Sequence, residues 1–312
     1  MNDLALAYHI LRTTENAALK AAYWRGKGDK NSADQAATTA MRETLNALPI
    51  SATVVIGEGE MDEAPMLYIG EKLGTGGPAL DIAVDPLDGT TLCAKNRENS
   101  ITVIAVSDRG SFLHAPDMYM LKLGVGPKAR GAIDLNKDLT TNLKQIASAL
   151  GKKPQDLNVV LLDRERHSSY LDEIRKFGAK ATLITDGDVS PIVAAGMQSL
   201  DMDVLFGIGG APEGVLAAAA AKCLGGDFQG KLWFENEGEH KRCKEMGLTD
   251  PDKVFTLNEL VRSDNVIFAL TGVTDGFLTP GVVFSPNEAQ THSLVIHSAE
   301  KILRKVQSIH AI

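Results

Sequence analysis

The chain has 312 residues, of which 44% are hydrophobic and 23% charged, a composition typical of a globular α/β protein. Its formal net charge is −8 and it has no basic block, so nucleic acid is not expected as a partner. Residues 1–25 lack a signal-peptide pattern, and the longest apolar run, residues 215–221, is too short to span a membrane. Its 3 scattered cysteines fit a reducing compartment, so we expect a cytoplasmic protein without membrane partners.

The first elements predicted along the chain are two helices. Apolar residues at helical spacing indicate a helix over residues 4–25, which the following glycines end. A second helix, extending to residue 48, begins at an N-cap provided by Asn31 or Ser32. This start places Asp34 in the first turn, where on local grounds its charge would simply complement the helix dipole.

Four acidic residues follow a short predicted strand at residues 54–57, namely Glu58, Glu60, Asp62 and Glu63. Carboxylates this close together repel one another unless cations neutralise them. The alternative is a solvated acidic turn. The preceding strand and two glycines place the acids at a strand end, however, where α/β proteins bind ligands. We therefore favour a binding site at this turn.

The stretch from residue 80 to residue 91 carries the strongest functional signal. A buried strand over residues 81–84 is predicted to stop at Asp85-Pro86, because proline cannot donate to a strand ladder. Asp85 and Asp88 then lie on one turn and offer oxygen ligands that suit Mg²⁺ or Mn²⁺. Gly89 permits close backbone approach, and a helix starting there would add N–H groups for an anion. Both acids could instead serve a turn or a cap, but the hydroxyls of Thr90 and Thr91 favour the site of a metal-dependent phosphatase.

Polar residues also follow the strands predicted in the second half of the chain. A strand over residues 158–162 leads to Arg164 and Arg166, which either bind a phosphate or begin a helix with surface charges. A strand over residues 181–184 leads to Asp186-Gly187-Asp188, which is either a turn or a loop that binds sugar hydroxyls.

A strand over residues 204–206 runs into a glycine-rich segment and a helix over residues 215–224. Pro212 and Glu213 fit the first turn of that helix. The glycines match the dinucleotide-binding pattern only loosely, so a nicotinamide site has little support. Glycine and proline at residues 124–157 indicate a change of lobe that includes a helix at 139–150, and the polar residues 229–253 are expected to form a surface excursion.

The motif Asp85-Pro86-Leu87-Asp88-Gly89-Thr90 resembles the signature of the metal-dependent, lithium-sensitive phosphatase superfamily. Together with Gly57–Glu60, Asp186–Asp188 and Gly207–Gly214, it makes nearly the whole chain resemble the class II fructose-1,6-bisphosphatases. This resemblance implies an α/β fold, a layered α/β/α/β/α sandwich of the sugar phosphatase type, with two lobes around a metal-binding cleft. We assign residues 1–130 to an N-terminal metal-binding lobe. Residues 131–312 would form a C-terminal α/β lobe that contributes sugar-phosphate contacts and one metal ligand.

The resemblance also implies roles for individual residues. Two or more Mn²⁺ or Mg²⁺ ions would be held by Asp34, Glu58, Asp85, Asp88 and Glu213. Asp62 would orient or deprotonate the attacking water, and Thr90 would lie at the reacting phosphate. The implied substrate-binding residues are Asp88, Gly89, Thr90, Tyr119, Arg164, Glu165, Arg166, Asp186, Gly187, Asp188 and Gly210. From its apolar neighbours alone Tyr119 could equally be a core residue, and Lys30 is either a phosphate partner or a solvated charge.

The activity implied by the resemblance is metal-dependent hydrolysis of the 1-phosphate of fructose 1,6-bisphosphate to fructose 6-phosphate, a gluconeogenic step. The substrate would be this small sugar bisphosphate, and the enzyme would form a homo-oligomer, a dimer or a tetramer. One alternative is the same chemistry on sedoheptulose 1,7-bisphosphate or another sugar or polyol phosphate. An alternative of a different class is a non-catalytic metal or nucleotide sensor.

Overall fold

The computed structural model describes residues 3–59, 66–198, 200–245, 248 and 250–312. The helices are α1 (Asp3–Ala22), α2 (Lys30–Asn46), α3 (Thr90–Ala94), α4 (Leu139–Leu150), α5 (Ser168–Phe177), α6 (Ser190–Met197), α7 (Ala211–Leu224), α8 (Glu237–Glu245) and α9 (Leu257–Leu260). The strands are β1 (Ser51–Ile56), β2 (Lys72–Leu73), β3 (Ala79–Asp88), β4 (Ile101–Asp108), β5 (Tyr119–Val125), β6 (Asn158–Leu162), β7 (Lys180–Ile184), β8 (Val204–Gly210), β9 (Asp227–Trp233), β10 (Val254–Thr256), β11 (Val266–Gly272), β12 (Val283–Ser285), β13 (Glu288–His297) and β14 (Ile302–Ala311). The predicted α/β class is confirmed.

The chain divides into two compact units. Unit 1 comprises Met1–Phe112 and Ser263–Ile312, and unit 2 comprises Leu113–Arg262. This division differs from the lobe boundary that we placed after residue 130, because β11 pairs with β4 along its whole length and so returns the end of the chain to unit 1. That pairing joins residues far apart in sequence, and local composition carries no signal for it.

Unit 1 is built on an eight-stranded mixed sheet in the order β12-β13-β11-β4-β3-β1-β2, with β14 paired to β13. Helices α1 and α2 pack against each other and cover the sheet. Ala17, Ala18 and Ala21 of α1 are fully buried, and their small side chains allow the helix to lie close to its neighbours. Strands β1 and β3 run parallel, so their carboxyl ends lie at the same edge of the sheet.

Two local predictions in unit 1 are wrong. The N-cap of α2 is Asp29, whose carboxylate accepts hydrogen bonds from the Ser32 backbone N–H at 3.0 Å and from the Ser32 hydroxyl at 2.7 Å. Asp34 therefore lies beyond the first turn, and the helix dipole does not explain it. Strand β3 also continues past Pro86 to Asp88, because a β-bulge between Asp85 and Asp88 removes the need for a ladder hydrogen bond at the proline.

Unit 2 contains a six-stranded mixed sheet in the order β10-β9-β5-β8-β6-β7. Strand β6 is parallel to β7 and to β8, whereas β5 is antiparallel to β8 and to β9. Leu123 and Val125 of β5 pack in a core with residues of α4, while Met120 and Lys122 of the same strand lie against α7. Both faces of this sheet are therefore covered by helices.

The expectation of a surface excursion over residues 229–253 is wrong at its start. Residues 227–233 form β9, which pairs with the full length of β5 inside the sheet. Phe228 and Leu232 are buried whereas Lys231 and Trp233 are exposed, which is the alternation of a strand. The prediction missed this strand because it relied on the polar composition of the whole segment. In the part of the chain that the structure describes, none of the helices is long and apolar enough to cross a bilayer.

Candidate active site

In unit 1, the acidic residues lie where two parallel strands end. Ile56 of β1 stands opposite Ala83 of β3, so Glu58, just beyond β1, and Asp85, at the bulge near the end of β3, lie along the same edge of the sheet. This position at a strand end is the one that the sequence predicted. The parallel register of β1 and β3 therefore brings Glu58 and Asp85, which are distant in sequence, to the same edge of the sheet.

Asp34 and Glu58 are brought into direct contact. Burial raises the pKa of Asp34, and a hydrogen bond with the Glu58 side chain partly offsets that rise. A hydrogen bond between two carboxyl groups requires a proton on one of them, because ionised carboxylates only accept. A pair of this kind is stabilised when a proton or a cation lies between its oxygens.

The predicted phosphatase motif forms the end of β3 and the start of α3. Asp85 Oδ1 accepts a hydrogen bond of 3.0 Å from the Leu87 backbone N–H, which holds its carboxylate on the turn. Asp88 is buried, and its backbone carbonyl accepts a hydrogen bond from Ser100 Oγ. Gly89 is the N-cap of α3 with a φ of 80°, a left-handed conformation that favours glycine, and Thr90 is the first residue of this five-residue helix.

In unit 2, the predicted substrate residues also gather at one edge of a sheet. The parallel strands β6, β7 and β8 lead to Arg164, Asp186 and Glu213 beyond their carboxyl ends. Tyr119 opens the antiparallel strand β5 and stands opposite Gly210 at the end of β8. The same edge therefore collects residues from four strands, as expected for ligand sites in α/β sheets.

Arg166 is held in a fixed orientation. Its guanidinium carbon lies 4.5 Å from the centroid of the Tyr119 ring. Its Nε and Nη2 donate to the Ile208 carbonyl oxygen at 3.2 and 2.8 Å. Among the described residues, no carboxylate forms an ion pair with Arg166. The other N–H groups of its guanidinium can therefore donate hydrogen bonds to a phosphate. This geometry favours the binding role of Tyr119 over a place in the core.

His167, which follows the two arginines at this strand end, supports Arg166. Its Nε2 accepts a hydrogen bond of 2.8 Å from the Ile208 backbone N–H, so Nδ1 carries the proton and donates to the Leu162 carbonyl at 2.7 Å. Burial lowers the pKa of His167, which favours this neutral form. A side chain at Gly207 would press on the imidazole ring. His167 thereby fixes the strand whose carbonyl receives Arg166.

The remaining predicted residues of this edge lie in two loops. Arg164 is exposed, and its Nη2 donates to the Thr185 carbonyl at 2.9 Å, so it links the ends of β6 and β7. Burial raises the pKa of Asp186, while the Gly187 N–H and the Arg164 charge oppose that rise. Gly187 has a φ of 83°, which the turn requires. Glu165 is exposed in a short 3₁₀ turn.

Glu213 lies in the first turn of α7 with its carboxylate against Gly210. Any side chain at Gly210 would collide with that carboxylate. Burial raises the pKa of Glu213, the Lys122 ammonium lowers it, and the nearby Asp188 carboxylate raises it. Within the described part of the chain, Glu213 Oε2 is buried and has no hydrogen-bond partner.

Some predicted residues are not brought together. Across residues 3–59, 66–198, 200–245, 248 and 250–312, the structure places no three histidine, cysteine, aspartate or glutamate side chains in a preformed metal cage. Lys30 is exposed as the first residue of α2. Asp62 lies outside the described residues.

The side chains of both units fit divalent metal ions chemically. The predicted ligands are all carboxylates, which suit hard cations. The contact between Asp34 and Glu58 in unit 1 and the unpartnered Glu213 Oε2 in unit 2 are each relieved by a cation. Carboxylates at the strand ends of one mixed sheet and a preoriented arginine at the strand ends of another are groups that suit metal-dependent chemistry on a phosphate ester.

Comparison with known proteins agrees with this chemistry. Residues 4–310 match the family model described as bacterial fructose-1,6-bisphosphatase, glpX-encoded. The chain is 48% identical to fructose-1,6-bisphosphatase 1 class 2 of Escherichia coli, over 98% of this chain and 95% of the relative. It is 47% identical to the class 2 enzyme of Haemophilus influenzae, over 98% and 96%. It is 44% identical to a Prochlorococcus marinus protein named D-fructose 1,6-bisphosphatase class 2/sedoheptulose 1,7-bisphosphatase, over 99% and 96%.

The protein is thus a phosphatase, a hydrolase of phosphate esters. The chain belongs to the glpX-type bacterial fructose-1,6-bisphosphatase family, as the resemblance of its motifs implied.

Proposed function

We propose that the protein hydrolyses the 1-phosphate of fructose 1,6-bisphosphate to fructose 6-phosphate and phosphate, as a step of gluconeogenesis. The observation that carries this proposal is the match to class 2 fructose-1,6-bisphosphatases over nearly the whole chain. Membership of an enzyme family favours catalysis over a non-catalytic sensor. The preoriented arginine and the strand-end carboxylates supply the two kinds of group that a sugar bisphosphate needs.

Within this proposal, Asp34, Glu58, Asp85, Asp88 and Glu213 hold two or more Mn²⁺ or Mg²⁺ ions. When bound, such ions supply positive charge against the phosphoryl oxygens and acidify water. Thr90 Oγ positions the attacking water at the reacting phosphate, and Asp62 orients or deprotonates that water. Direct attack by Thr90 is less favourable, because its alkoxide is costly without an adjacent base.

Arg164 and Arg166 anchor the far phosphate and the sugar, together with Tyr119 and Glu165. The Asp186-Gly187-Asp188 loop and Gly210 line the sugar, since carboxylates accept hydrogen bonds from hydroxyls. Holding the far end of the substrate raises the effective concentration of the reacting end. Gly89 lets the backbone approach the reacting phosphate closely, and Lys30 is a further candidate phosphate partner.

Sedoheptulose 1,7-bisphosphate is the second candidate substrate, because a relative 44% identical to this chain carries that activity in its name. A homo-oligomeric state, dimer or tetramer, and a cytoplasmic location stay predictions. The location is supported by Cys93, Cys223 and Cys243, which are all buried thiols, as expected in a reducing compartment.

The proposal is tested by phosphate release from a panel of esters in the presence of Mn²⁺. We expect the highest kcat/KM for fructose 1,6-bisphosphate, with fructose 6-phosphate as the product, a measurable rate on sedoheptulose 1,7-bisphosphate and a much lower rate on inositol 1-phosphate. A preference for the inositol ester would assign the protein to another substrate. Absence of release from all three would overturn the proposed activity.

Replacing Arg166 tests whether this residue binds the non-reacting phosphate of the substrate. Arg166→Ala is expected to raise the KM for fructose 1,6-bisphosphate by about 10- to 100-fold, because a hydrogen bond to a charged group contributes about 1.5–3 kcal/mol. The effect on kcat should be smaller, since the far phosphate does not react. Steady-state kinetics on the purified variant provide the measurement.

The matched control is Arg175→Ala, which removes an exposed arginine of α5 from the same unit. It should leave KM unchanged. Arg166→Lys should recover only part of the affinity, because lysine keeps the charge but loses the planar fork that stacks on Tyr119. Wild-type KM in Arg166→Ala would mean that this arginine is a surface charge.

A further inference from the structure

Lys122 is a lysine in a position that would normally hold an apolar residue. Its side chain is 1% exposed and lies on the face of β5 that packs against α7, next to Met120. A buried ammonium is costly unless a carboxylate compensates it. Methionine or leucine would fill this space without that cost, so the charge itself requires an explanation.

The compensating group is Asp188. Lys122 Nζ lies 2.7 Å from Asp188 Oδ2, and the Asp188 side chain is 9% exposed. The backbone of Gly209 crosses directly over this ion pair, where a Cβ would collide with Asp188 Oδ2 and stand 3.0 Å from Lys122 Nζ. The pair is therefore enclosed by β8, and its geometry leaves the Asp188 carboxylate little freedom.

The same ammonium also acts on Glu213. Its charge favours the ionised form of the buried Glu213 carboxylate, whereas Asp188 disfavours it. Lys122 thus acts electrostatically on two acids that the proposed function uses.

We propose that Lys122 is a positioning residue for the sugar site, because its ammonium fixes the Asp188 carboxylate beneath Gly209 in the orientation that receives the substrate. This inference rests on the proposed function, in which Asp188 binds the sugar. Lys122 touches no substrate atom and acts through Asp188. The signals that single it out, burial and an ion pair, exist only in the folded chain.

The test compares Lys122→Met, Asp188→Asn and the double variant by calorimetric titration with fructose 6-phosphate and by steady-state kinetics. We expect each single change to weaken fructose 6-phosphate binding and to raise KM by about tenfold or more, with a smaller change in kcat. The double variant should bind fructose 6-phosphate no more weakly than Asp188→Asn, because Lys122 acts on the sugar through Asp188. Lys231→Met, in the neighbouring strand β9 and exposed, is the matched control and should bind as the wild type does.

A purely structural role predicts another pattern, in which Lys122→Met lowers the thermal midpoint but leaves binding and KM at wild-type values. That result would overturn the inference, as would a double variant that binds at least about tenfold more weakly than Asp188→Asn. If Lys122→Met does not fold, Lys122→Gln takes its place, because its amide can still donate to Asp188. It should show a smaller loss of affinity in the same direction, and unchanged affinity would again overturn the inference.

Two measurements on the wild-type protein, phosphate release and fructose 6-phosphate binding, distinguish a failure of the proposed function from a failure of the role assigned to Lys122. If the wild-type protein neither releases phosphate from fructose 1,6-bisphosphate nor binds fructose 6-phosphate, the proposed function fails. If it does both and the Lys122 variants match it, only the role of Lys122 fails.

Discussion

Removal of divalent cations with EDTA is expected to reduce phosphate release from fructose 1,6-bisphosphate to background. The reason lies in the carboxylates at the strand ends. Asp34 is half-buried in hydrogen-bond contact with Glu58, and Glu213 Oε2 is buried without a partner among the described residues. Such groups are poorly compensated without cations, and a phosphate ester brings further negative charge. Without metal ions, the acids and the substrate would repel each other.

The measurement is phosphate release before and after chelation, followed by dialysis and titration with Mn²⁺ or Mg²⁺. Activity should return with either ion, and the concentration needed for half-recovery reports the relative affinity of the site. Dialysis without added metal is the control for damage by the chelator. Full activity in excess EDTA would contradict the metal-dependent mechanism.

Thr90→Ala is expected to lower kcat by about 100- to 1,000-fold, the usual cost of removing a group that acts in the transition state. KM should change far less, because the substrate is anchored mainly by the residues of unit 2 in the proposed site. Thr90 begins α3 directly after the left-handed Gly89, so its hydroxyl is placed by a turn that few other residues could form. Initial rates over a range of substrate concentrations separate kcat from KM.

Two variants control this prediction. Thr91→Ala removes the hydroxyl of the next helical residue, which points about 100° away around the helix axis, and should keep most of the activity. Thr90→Ser restores a hydroxyl at the same position and should recover much of kcat. An unchanged kcat in Thr90→Ala would remove this side chain from the chemistry.

Patterns that act over short distances along the chain predicted much of the fold. The helix at Leu139–Leu150 and the strand at Asn158–Leu162 have their predicted bounds, because periodic apolar residues and nearby turn residues define such elements locally. The prediction at Pro86 was wrong, since a proline rule based on regular ladders does not anticipate a bulge. The N-cap prediction was wrong because Asp29, Asn31 and Ser32 are all acceptable caps in sequence.

The candidate site likewise has features that the sequence predicted and features that it could not predict. Strand ends followed by acids or arginines identified Glu58, Asp85 and Arg166 as candidates, because ligand sites of α/β sheets lie at strand ends. Glu213 was identified only through the family resemblance. Sequence could not reveal that Arg166 stacks on Tyr119, or that His167 supports the strand beneath it. Those contacts join separate strands, so no local pattern records them.

The amino-acid sequence by itself determined the α/β class, the family and the chemical nature of the acids that gather at strand ends. Only the tertiary structure decided that residues 263–312 complete the sheet of unit 1, that Asp34 touches Glu58 and that Lys122 is buried against Asp188. The physical reason is that residue type and spacing are local properties. Burial and ion pairing instead depend on which distant segments the strand register brings side by side.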